Sequence, residues 1–311
     1  MPEDLMTAQE AADYLKLKKS TVYEMIKRGE IPSAKIGKQL RINRADLDAL
    51  LPGGGAHTAP RRESHMSKPS LNGEGGRGEV VLCGQDGSLD LISNYVTGSQ
   101  GNKAVVLRSH AGSYNSLTML YHGKVDIATA ILWHEKTGTY NRPYIETLLP
   151  GLPTIAVRLF GRTVGIYVRK GNPKGIQGLN DLCRQDIRLV NRERGSGARV
   201  LLDEKLKAMG LPGQEINGYS NEQTAALTVA SAIARGEGDF GLGDQAVSWQ
   251  VPDVDFVPLQ TEWCDMVFLA EREREPAFQA ILDYVFSETF SRDLSHSAGY
   301  DLSQTGKVFR L

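Results

Sequence analysis

Cysteine is scarce in this sequence. The 311 residues include three cysteines, Cys83, Cys183 and Cys264, which lie far apart. Cysteines at such separations offer neither the disulfide framework of a small secreted domain nor a paired-cysteine zinc site. No apolar stretch approaches the roughly 18–20 residues that span a bilayer, and the N-terminus, MPEDLMTAQE, has no basic segment followed by an apolar one. We therefore expect a protein of the reducing cytoplasm that has no membrane partner.

An excess of one charge is also lacking. The 36 lysines and arginines nearly balance the 37 aspartates and glutamates, so the formal net charge is −1. A balanced total says nothing about nucleic acid, and an electrostatic partner has to be sought in local clusters of charge. Hydrophobic residues make up 41% of the chain, which is enough for buried cores, and the length predicts about two domains.

Apolar residues are nearly absent between Leu51 and Glu79. This segment, PGGGAHTAPRRESHMSKPSLNGEGGRG, contains seven glycines and three prolines, a composition typical of a flexible connection. We therefore predict a domain at residues 1–52, a flexible linker at 53–78 and a larger domain at 79–311.

Two short helices are predicted near the N-terminus. Thr7 and Glu10 have the spacing of a capping box, and Thr21 and Glu24 repeat that spacing. A basic turn, KLKK, separates the two helices, and two helices joined by a tight turn form the helix-turn-helix unit. The segment AKIGKQLRI alternates around Gly37 and predicts a hairpin, or wing, before a short closing helix at 44–51.

Positive charge is concentrated in this unit. Residues 16–44 contain nine basic side chains and two acidic ones, the pattern expected where a domain contacts phosphates. The segment TAQEAADYLKLKKSTVYEMIKRGEIPSAKIGKQLRINRADLDALL resembles, almost from end to end, the excisionase-type winged helix-turn-helix family. The resemblance implies binding of double-stranded DNA through the turn, the second helix and the wing. The DNA-binding residues are then Lys18, Lys19, Ser20, Thr21, Tyr23, Lys27, Lys35, Lys38 and Arg41.

The larger domain has the alternation of an α/β fold. Apolar runs such as EVVL, AVVL and VGIYV alternate with longer segments of helical periodicity. Three junctions between a strand and a helix contain glycine: CGQDGSLDLI, RSHAGSYNSL and NRERGSGARV. Such junctions expose backbone N–H groups that favour an anion, and the arginines of the third suit an oxyanion or a phosphate group. Ordinary caps and ion pairs with nearby acids are the alternative role of the same residues.

Residues 79–311 resemble the periplasmic-binding-protein superfamily, in the cytoplasmic branch that is joined to helix-turn-helix domains. The resemblance rests on GQDGSLDLI, on GKVDIA followed by TGTYN, on NRERGSGARVLLD, and on ASAIARGEGDFGLG before FVPLQTEWCDMVF. It implies a two-lobed α/β domain with a ligand cleft, and it favours molybdate or tungstate as the ligand. Lobe one is expected at 79–160 and 262–311 and lobe two at 165–256, with chain crossings near 160–164 and 257–262.

The resemblance also selects ligand residues, because related tungstate binders use hydroxyl groups of the first two junctions and an arginine with a serine in the third. The matching positions and their neighbours are Gln85, Asp86, Ser88, Ser113, Arg194, Gly195, Ser196, Gly197 and Arg199. A second set on other loops comprises His134, Tyr140, Asn141, Glu222 and Thr224. The sequence departs from the tungstate binders at Asp86, whose charge repels a bare dianion. Either Asp86 accepts a hydrogen bond from a protonated or hydroxylated ligand, or the ligand is a larger polar molecule such as an organic metabolite or a pterin-type compound.

No catalytic motif is present. The patterns GxSxG and HExxH are absent, so we expect no enzyme activity, no catalytic residue, no cofactor and no bare metal ion. The sequence indicates a one-component transcriptional regulator that binds operator DNA as a homodimer and senses a small oxyanion or, alternatively, an organic metabolite. A DNA-recombination accessory protein is a further alternative, but such a protein needs no large ligand-binding domain.

Overall fold

The computed structural model describes residues 5–27, 31, 34–36, 39–44, 47, 78–98, 104–297 and 299–311. The chain divides into two compact units, residues 1–65 and 66–311. Apart from Gly78, the predicted linker at 53–78 lies outside the described residues, as does most of the helix predicted at 44–51. Among the described residues, no helix is both long and apolar enough to cross a membrane.

The first unit combines two helices with a three-stranded sheet. Its elements are β1 (Leu5–Thr7), α1 (Ala8–Leu15), α2 (Lys19–Lys27), β2 (Ala34–Ile36) and β3 (Gln39–Asn43). Strand β3 pairs antiparallel with both β1 and β2, so the predicted hairpin is confirmed, whereas β1 was not predicted. The core between helices and sheet consists of Ala11, Ala12, Val22, Ile31, Ile42 and Leu47.

One of the two predicted capping boxes is present. Thr7 Oγ1 accepts a hydrogen bond from the Glu10 N–H at 3.3 Å, and Glu10 Oε2 accepts one from the Thr7 N–H at 2.7 Å. The second box is wrong, because α2 begins at Lys19 and Thr21 therefore lies in its first turn. Lys16 takes a left-handed conformation with φ 56°, and this tight turn lets the next helix begin before the residue that resembles a cap.

The second unit contains two sheets and eight helices within its described residues. Its strands are β4 (Gly78–Cys83), β5 (Ala104–Ser109), β6 (Ile127–Ala130), β7 (Trp133–His134), β8 (Thr139–Tyr140), β9 (Thr154–Arg169), β10 (Leu189–Arg192), β11 (Glu222–Gln223), β12 (Phe240–Asp244), β13 (Val254–Leu269), β14 (Tyr300–Asp301) and β15 (Val308–Arg310). Its helices are α3 (Leu89–Gly98), α4 (Ser113–Tyr121), α5 (Arg142–Leu148), α6 (Gly197–Ala208), α7 (Ala226–Ala234), α8 (Gln245–Ser248), α9 (Pro276–Val285) and α10 (Glu288–Ser295).

The main sheet has ten strands, in the order β11-β10-β12-β9-β13-β6-β4-β5, with β14 and β15 also paired to β9. Strands β4, β5 and β6 are parallel neighbours, as are β10, β11 and β12. Each group has its own apolar cores, and we call the half around β4–β6 lobe one and the half around β10–β12 lobe two. The predicted α/β class is confirmed.

Two long antiparallel strands, β9 and β13, join the lobes. They pair from Thr154 opposite Leu269 to Arg169 opposite Val254, so each runs through both halves of the sheet. Strand β9 contains one extra residue: Arg158 lies opposite Asp265, whereas the next paired residue, Phe160, lies opposite Cys264. Such a bulge reverses the side-chain alternation of a strand. Arg158 and Arg162, four residues apart, would share a face in a regular strand, but the bulge between them places them on opposite faces of the sheet.

Candidate functional site

A cavity of about 670 Å³ lies between the two lobes. We call it the cleft. Its walls include the residues that precede or begin five helices, α3, α4, α6, α7 and α8. These wall positions are Gln85 to Gly87, Ser113, Gly197, Ala225 with Ala226, and Asp244. Because helix N-termini carry partial positive charge and unpaired N–H groups, this arrangement favours a polar or anionic ligand.

The structure brings together some of the predicted ligand residues. Those that line the cleft are Gln85, Asp86, Ser113, Gly197 and Thr224. The residues that are not part of its lining are Ser88, Arg194, Gly195, Ser196, Arg199, His134, Tyr140, Asn141 and Glu222. The first two junctions thus contribute three predicted residues to the lining, and the third junction contributes Gly197. Neither of the two arginines predicted as ligands lines the cleft.

The third junction is held by its own cap and ion pairs. Ser196 Oγ accepts from the Arg199 N–H at 3.3 Å and donates to the Glu193 carbonyl at 2.9 Å, which caps α6. The buried Arg199 guanidinium donates to Asp203 and to Glu222. The Arg194 side chain is 84% exposed. Ser196 and Arg199 therefore have the cap and the acidic partners that the sequence offered as their alternative role.

Other predicted residues also have structural partners. Asn141 is buried; its Oδ1 accepts from the Leu132 N–H at 2.7 Å and its Nδ2 donates to Asp265 at 2.7 Å. His134 Nδ1 lies 2.9 Å from Thr137 Oγ1. The Ser88 hydroxyl is buried next to the first junction and has no hydrogen bond of ordinary geometry among the described residues. None of these three side chains lines the cleft.

The floor of the cleft is a cluster of one arginine and three carboxylates. Arg162, on β9, donates to Asp86 Oδ2 at 2.7 Å and to Glu262 Oε1 at 2.6 Å, and its Nη1 lies 3.6 Å from Asp244 Oδ2. Asp86 Oδ1 also accepts from the Tyr300 hydroxyl at 2.8 Å. Asp86 belongs to lobe one and Asp244 to lobe two, so Arg162 links the lobes through the strand that both share.

The cluster changes the acidity of its members. Burial acts to lower the pKa of Arg162, but the carboxylates of Asp244, Glu262 and Asp86 outweigh it and raise that pKa well above its usual range. Burial raises the pKa of Glu262, and the charges of Asp244 and Asp86 add to the rise against the opposing effect of Arg162. One guanidinium cannot neutralise three carboxylates, so the floor stays net negative even when Glu262 holds a proton.

Contacts across the cleft hold the lobes close together. Arg192, at the end of β10, donates to Gln85 Oε1 at 2.8 Å, and Gln85 Nε2 donates to Glu193 at 3.1 Å. The Tyr114 N–H of lobe one donates to the Gly195 carbonyl of lobe two at 2.9 Å. Glu135 and Lys205 form an ion pair at 2.7 Å. The lobes therefore touch on more than one side of the cavity.

Two glycines permit this approach. A methyl group on Gly197 of lobe two would lie 2.3 Å from the Ile131 carbonyl oxygen of lobe one, and one on Gly112 would lie 2.7 Å from the Gly195 carbonyl oxygen. Neither glycine has a positive φ. The need for glycine at both positions is thus a matter of space between the lobes and not of backbone conformation.

Several cleft residues were missed by sequence reasoning. They are Arg162, Arg192, Asp244, Glu262 and Tyr300. A signal existed for two of them, because Arg162 and Glu262 are charged residues within strands that otherwise read as buried, and a buried charge needs a partner. The partners themselves come from distant parts of the chain and carry no local signal.

The predicted DNA-binding face lies on the first unit. Lys18, Lys19, Ser20 and Tyr23 are exposed on or next to α2, and Thr21 is half-buried. Lys27, Lys35 and Arg41 lie on α2, β2 and β3, whereas Lys38 lies outside the described residues. An exposed helix with basic residues at its N-terminal end is the arrangement that helix-turn-helix proteins present to the major groove.

The fold and the cleft define a solute-binding-type domain joined to a DNA-binding-type domain, and the chain belongs to the family described as PBP superfamily domain, whose model matches residues 97–285. The model described as Helix-turn-helix domain matches residues 5–52. Both family resemblances proposed from the sequence are therefore confirmed. The protein YvgK of Bacillus subtilis (strain 168) is 38% identical over 312 residues, which cover 97% of this chain and 96% of YvgK.

More distant relatives match part of the chain. The thiosulfate-binding protein of Escherichia coli (strain K12) is 33% identical over 169 residues, 48% of each chain. Among solved structures, a phosphate ABC transporter substrate-binding protein with bound phosphate from Clostridium perfringens aligns with a TM-score of 0.52 at 16% identity, covering 72% of this chain and 99% of its own. This structural likeness extends to the fold alone.

Proposed function

We propose that this protein is a one-component transcriptional regulator without enzyme activity. Its N-terminal domain binds operator DNA, and its second domain binds a small polar ligand in the cleft. The observation that carries this proposal is a cavity of about 670 Å³, lined from both lobes, in a chain that also has a helix-turn-helix domain. A ligand that contacts both lobes stabilises the arrangement in which they are close.

The domain boundaries derived from the sequence belong to the same proposal. They are a DNA-binding domain at 1–52, a linker at 53–78, lobe one at 79–160 with 262–311, and lobe two at 165–256. A homodimer places two recognition helices about 34–36 Å apart, one turn of DNA. Because a flexible linker transmits no rigid rotation, the ligand signal reaches DNA through the dimer or through docking of domains.

The first ligand class is a tetrahedral oxyanion, with molybdate or tungstate ahead of others. Five helix N-termini around the cleft supply the N–H groups that such an anion accepts. One relative bears the name of a thiosulfate-binding protein and one structural neighbour contains phosphate. Both oxygens of Asp86 accept hydrogen bonds, one from Arg162 and one from Tyr300. Because the carboxylate is directed at these donors, Asp86 does not prevent an anion from binding.

The second class is an organic molecule that brings hydrogen-bond donors. Two observations favour it: the lining carries three carboxylates against two guanidinium groups, and the volume of 670 Å³ lies within the range of about 300–1,000 Å³ typical of pockets for organic ligands. A pterin-type carboxylate matches both features of the cleft. The N–H groups of its ring donate to the carboxylates of the floor, and its own carboxylate accepts from the helix N-termini.

Thermal unfolding of the full chain separates the two classes. Tryptophan emission reports the second unit alone, because Trp133, Trp249 and Trp263 all lie there. Ligand at 100 times its Kd adds about 2.7 kcal/mol, which raises Tm by several degrees. A saturable rise with molybdate or tungstate but not sulfate supports the oxyanion; a rise with pterin-6-carboxylate alone supports the organic ligand. If neither the oxyanions nor pterin-6-carboxylate raises Tm, both ligand classes are contradicted.

DNA binding is tested by its salt dependence. Replacing Lys18 and Lys19 with alanine is expected to weaken binding to duplex DNA and to reduce the slope of log K against log salt by about one per lysine. The matched control is Lys124→Ala in the second unit, where an exposed lysine is also removed. Equal slopes for all three proteins would remove the proposed face.

A further inference from the structure

A second cavity, of about 360 Å³, lies in lobe one, on the other face of the β9–β13 pair. Alternate residues of β13 separate the two cavities: Glu262 lines the cleft, whereas Trp263 and Asp265 line the second cavity. On β9, Arg158 lies before the bulge and faces the second cavity, and Arg162 lies after it and faces the cleft. We call this second cavity the rear cavity.

Aromatic rings form the walls of the rear cavity. They belong to Trp133, Tyr140, Trp263 and Phe309. The rings of Trp133 and Tyr140 have centroids 5.1 Å apart, and the Arg158 guanidinium lies 4.9 Å from the Trp263 ring and 5.3 Å from the Phe309 ring. Rings from four separate strands, β7, β8, β13 and β15, thus surround one space, an arrangement that favours a flat, apolar guest.

The base of the rear cavity is rigid and already neutral. Arg158 donates to Asp265 at 2.6 Å and 3.2 Å, and Asn141 Nδ2 donates to the same carboxylate at 2.7 Å. All three residues are buried, and Asn141 is held at φ 65°, a left-handed conformation that needs such support. Because Asp265 is fully engaged, the base offers no charge to a cationic guest.

The rim carries positive charge. Arg142 and Lys307 line the cavity with exposed side chains, and Lys307 Nζ lies 5.3 Å from the Phe309 ring. Arg142 pairs with Glu146 on the surface at 2.8 Å, an exposed pair that holds its partner weakly. Among the side chains of the lining, three are basic and Asp265 is the one acid, which Arg158 neutralises, so the side chains of the rim are cationic.

We propose that the rear cavity is a second ligand site, distinct from the cleft, and that it binds a small aromatic anion. The planar ring lies between the aromatic walls, and the carboxylate or sulfonate group meets Lys307 and Arg142 at the rim. The volume of 360 Å³ accommodates one or two fused rings. Trp133 also packs on Lys205 of lobe two, 4.9 Å from its ring, so this site borders a contact between the lobes.

Fluorine NMR of the full chain labelled with 5-fluorotryptophan locates the ligand, because the three tryptophans report different places. Trp133 and Trp263 line the rear cavity, whereas Trp249 packs beside Gly299 in the cleft wall. Trp→Phe variants assign the three signals. Titration with 2-naphthoate is expected to shift the Trp133 and Trp263 signals and to leave that of Trp249 in place. A shift of Trp249 alone, or no shift, overturns the proposal.

Calorimetric titrations test the chemistry of the site. 2-Naphthylmethanol, which lacks the charge, and cyclohexanecarboxylate, which lacks the aromatic ring, are each expected to bind at least about tenfold more weakly than 2-naphthoate. Lys307→Glu is expected to weaken the binding of 2-naphthoate by about tenfold or more, and Lys124→Glu, the same change at an exposed lysine outside the cavity lining, to leave it unchanged. Equal binding of the three compounds, or equal effects of the two variants, overturns the proposal.

Discussion

The two faces of the β9–β13 strand pair carry opposite kinds of site on the same backbone. On the cleft face, Arg162 lies among three carboxylates from both lobes. On the rear face, Arg158 lies between two aromatic rings and pairs with the single carboxylate of Asp265. The bulge in β9 separates the two arginines, so one extra residue assigns them to different cavities.

The two faces show two ways in which buried charge is tolerated. The rear pair is locally neutral and complete, because its carboxylate has partners for both oxygens. The cleft cluster has more negative than positive groups. Asp86 comes from lobe one and Asp244 from lobe two, so these two meet at Arg162 only when the lobes are close together. The neutral pair lies within one lobe, whereas the unbalanced cluster retains negative charge that a bound ligand or a proton reduces.

Removing each arginine sharpens this comparison and has the largest expected effect. Arg162→Met leaves three buried carboxylates without their cation, and breaking a buried ion pair in this way costs about 3–5 kcal/mol of unfolding free energy. Urea unfolding followed by tryptophan emission measures the loss. Arg158→Met is the matched change on the rear face, and it is expected to cost less because Asn141 still donates to Asp265. A larger loss for Arg158→Met would contradict the ranking of the two faces.

The contact between the lobes is tested by a single methyl group. Gly197→Ala places a carbon 2.3 Å from the Ile131 carbonyl oxygen, and overpacking of this kind costs about 1–3 kcal/mol unless the lobes separate. We expect separation, seen as a change in the fluorine signal of Trp133, whose ring contacts Lys205 of the other lobe. The control is Gly98→Ala, where open space surrounds the added methyl. An unchanged Trp133 signal in both variants would show that the lobes remain in contact.

Local features of the fold were predictable from the sequence. The Thr7–Glu10 capping box, the hairpin of β2 and β3 and the strand–helix alternation depend on residues close together in the chain. The first two junctions reach the cleft because the carboxyl ends of neighbouring parallel strands meet at one edge of a sheet. Gln85, Asp86 and Ser113, which the family resemblance selected, lie on these junctions and line the cleft.

The acidic floor was not predictable, because its members come from four separate segments. Arg162 and Glu262 lie on the two shared strands, and their partners follow β4 and end β12. Which arginine of NRERG reaches the cleft depends on where strand β10 ends. Arg192 is the last residue of β10 and lines the cleft, whereas Arg194 lies beyond the strand and is exposed to solvent. Strand ends and bulges are uncertain from sequence by more than this difference.

The smallest expected effect concerns the proton on the cleft floor. Because burial raises the pKa of Glu262 above its unfolded value, the native state holds a proton that the unfolded chain releases, so stability falls as pH rises from the unfolded pKa through the folded one. Glu262→Gln removes this dependence, and the variant is expected to gain on the wild type as pH rises through that window. Glu237, whose pKa the Arg235 guanidinium lowers, is the control: Glu237→Gln is expected to show a weak trend of the opposite sign. Urea midpoints across mildly acidic to neutral pH measure both, and parallel curves for wild type and Glu262→Gln would mean that Glu262 stays ionised in the folded protein.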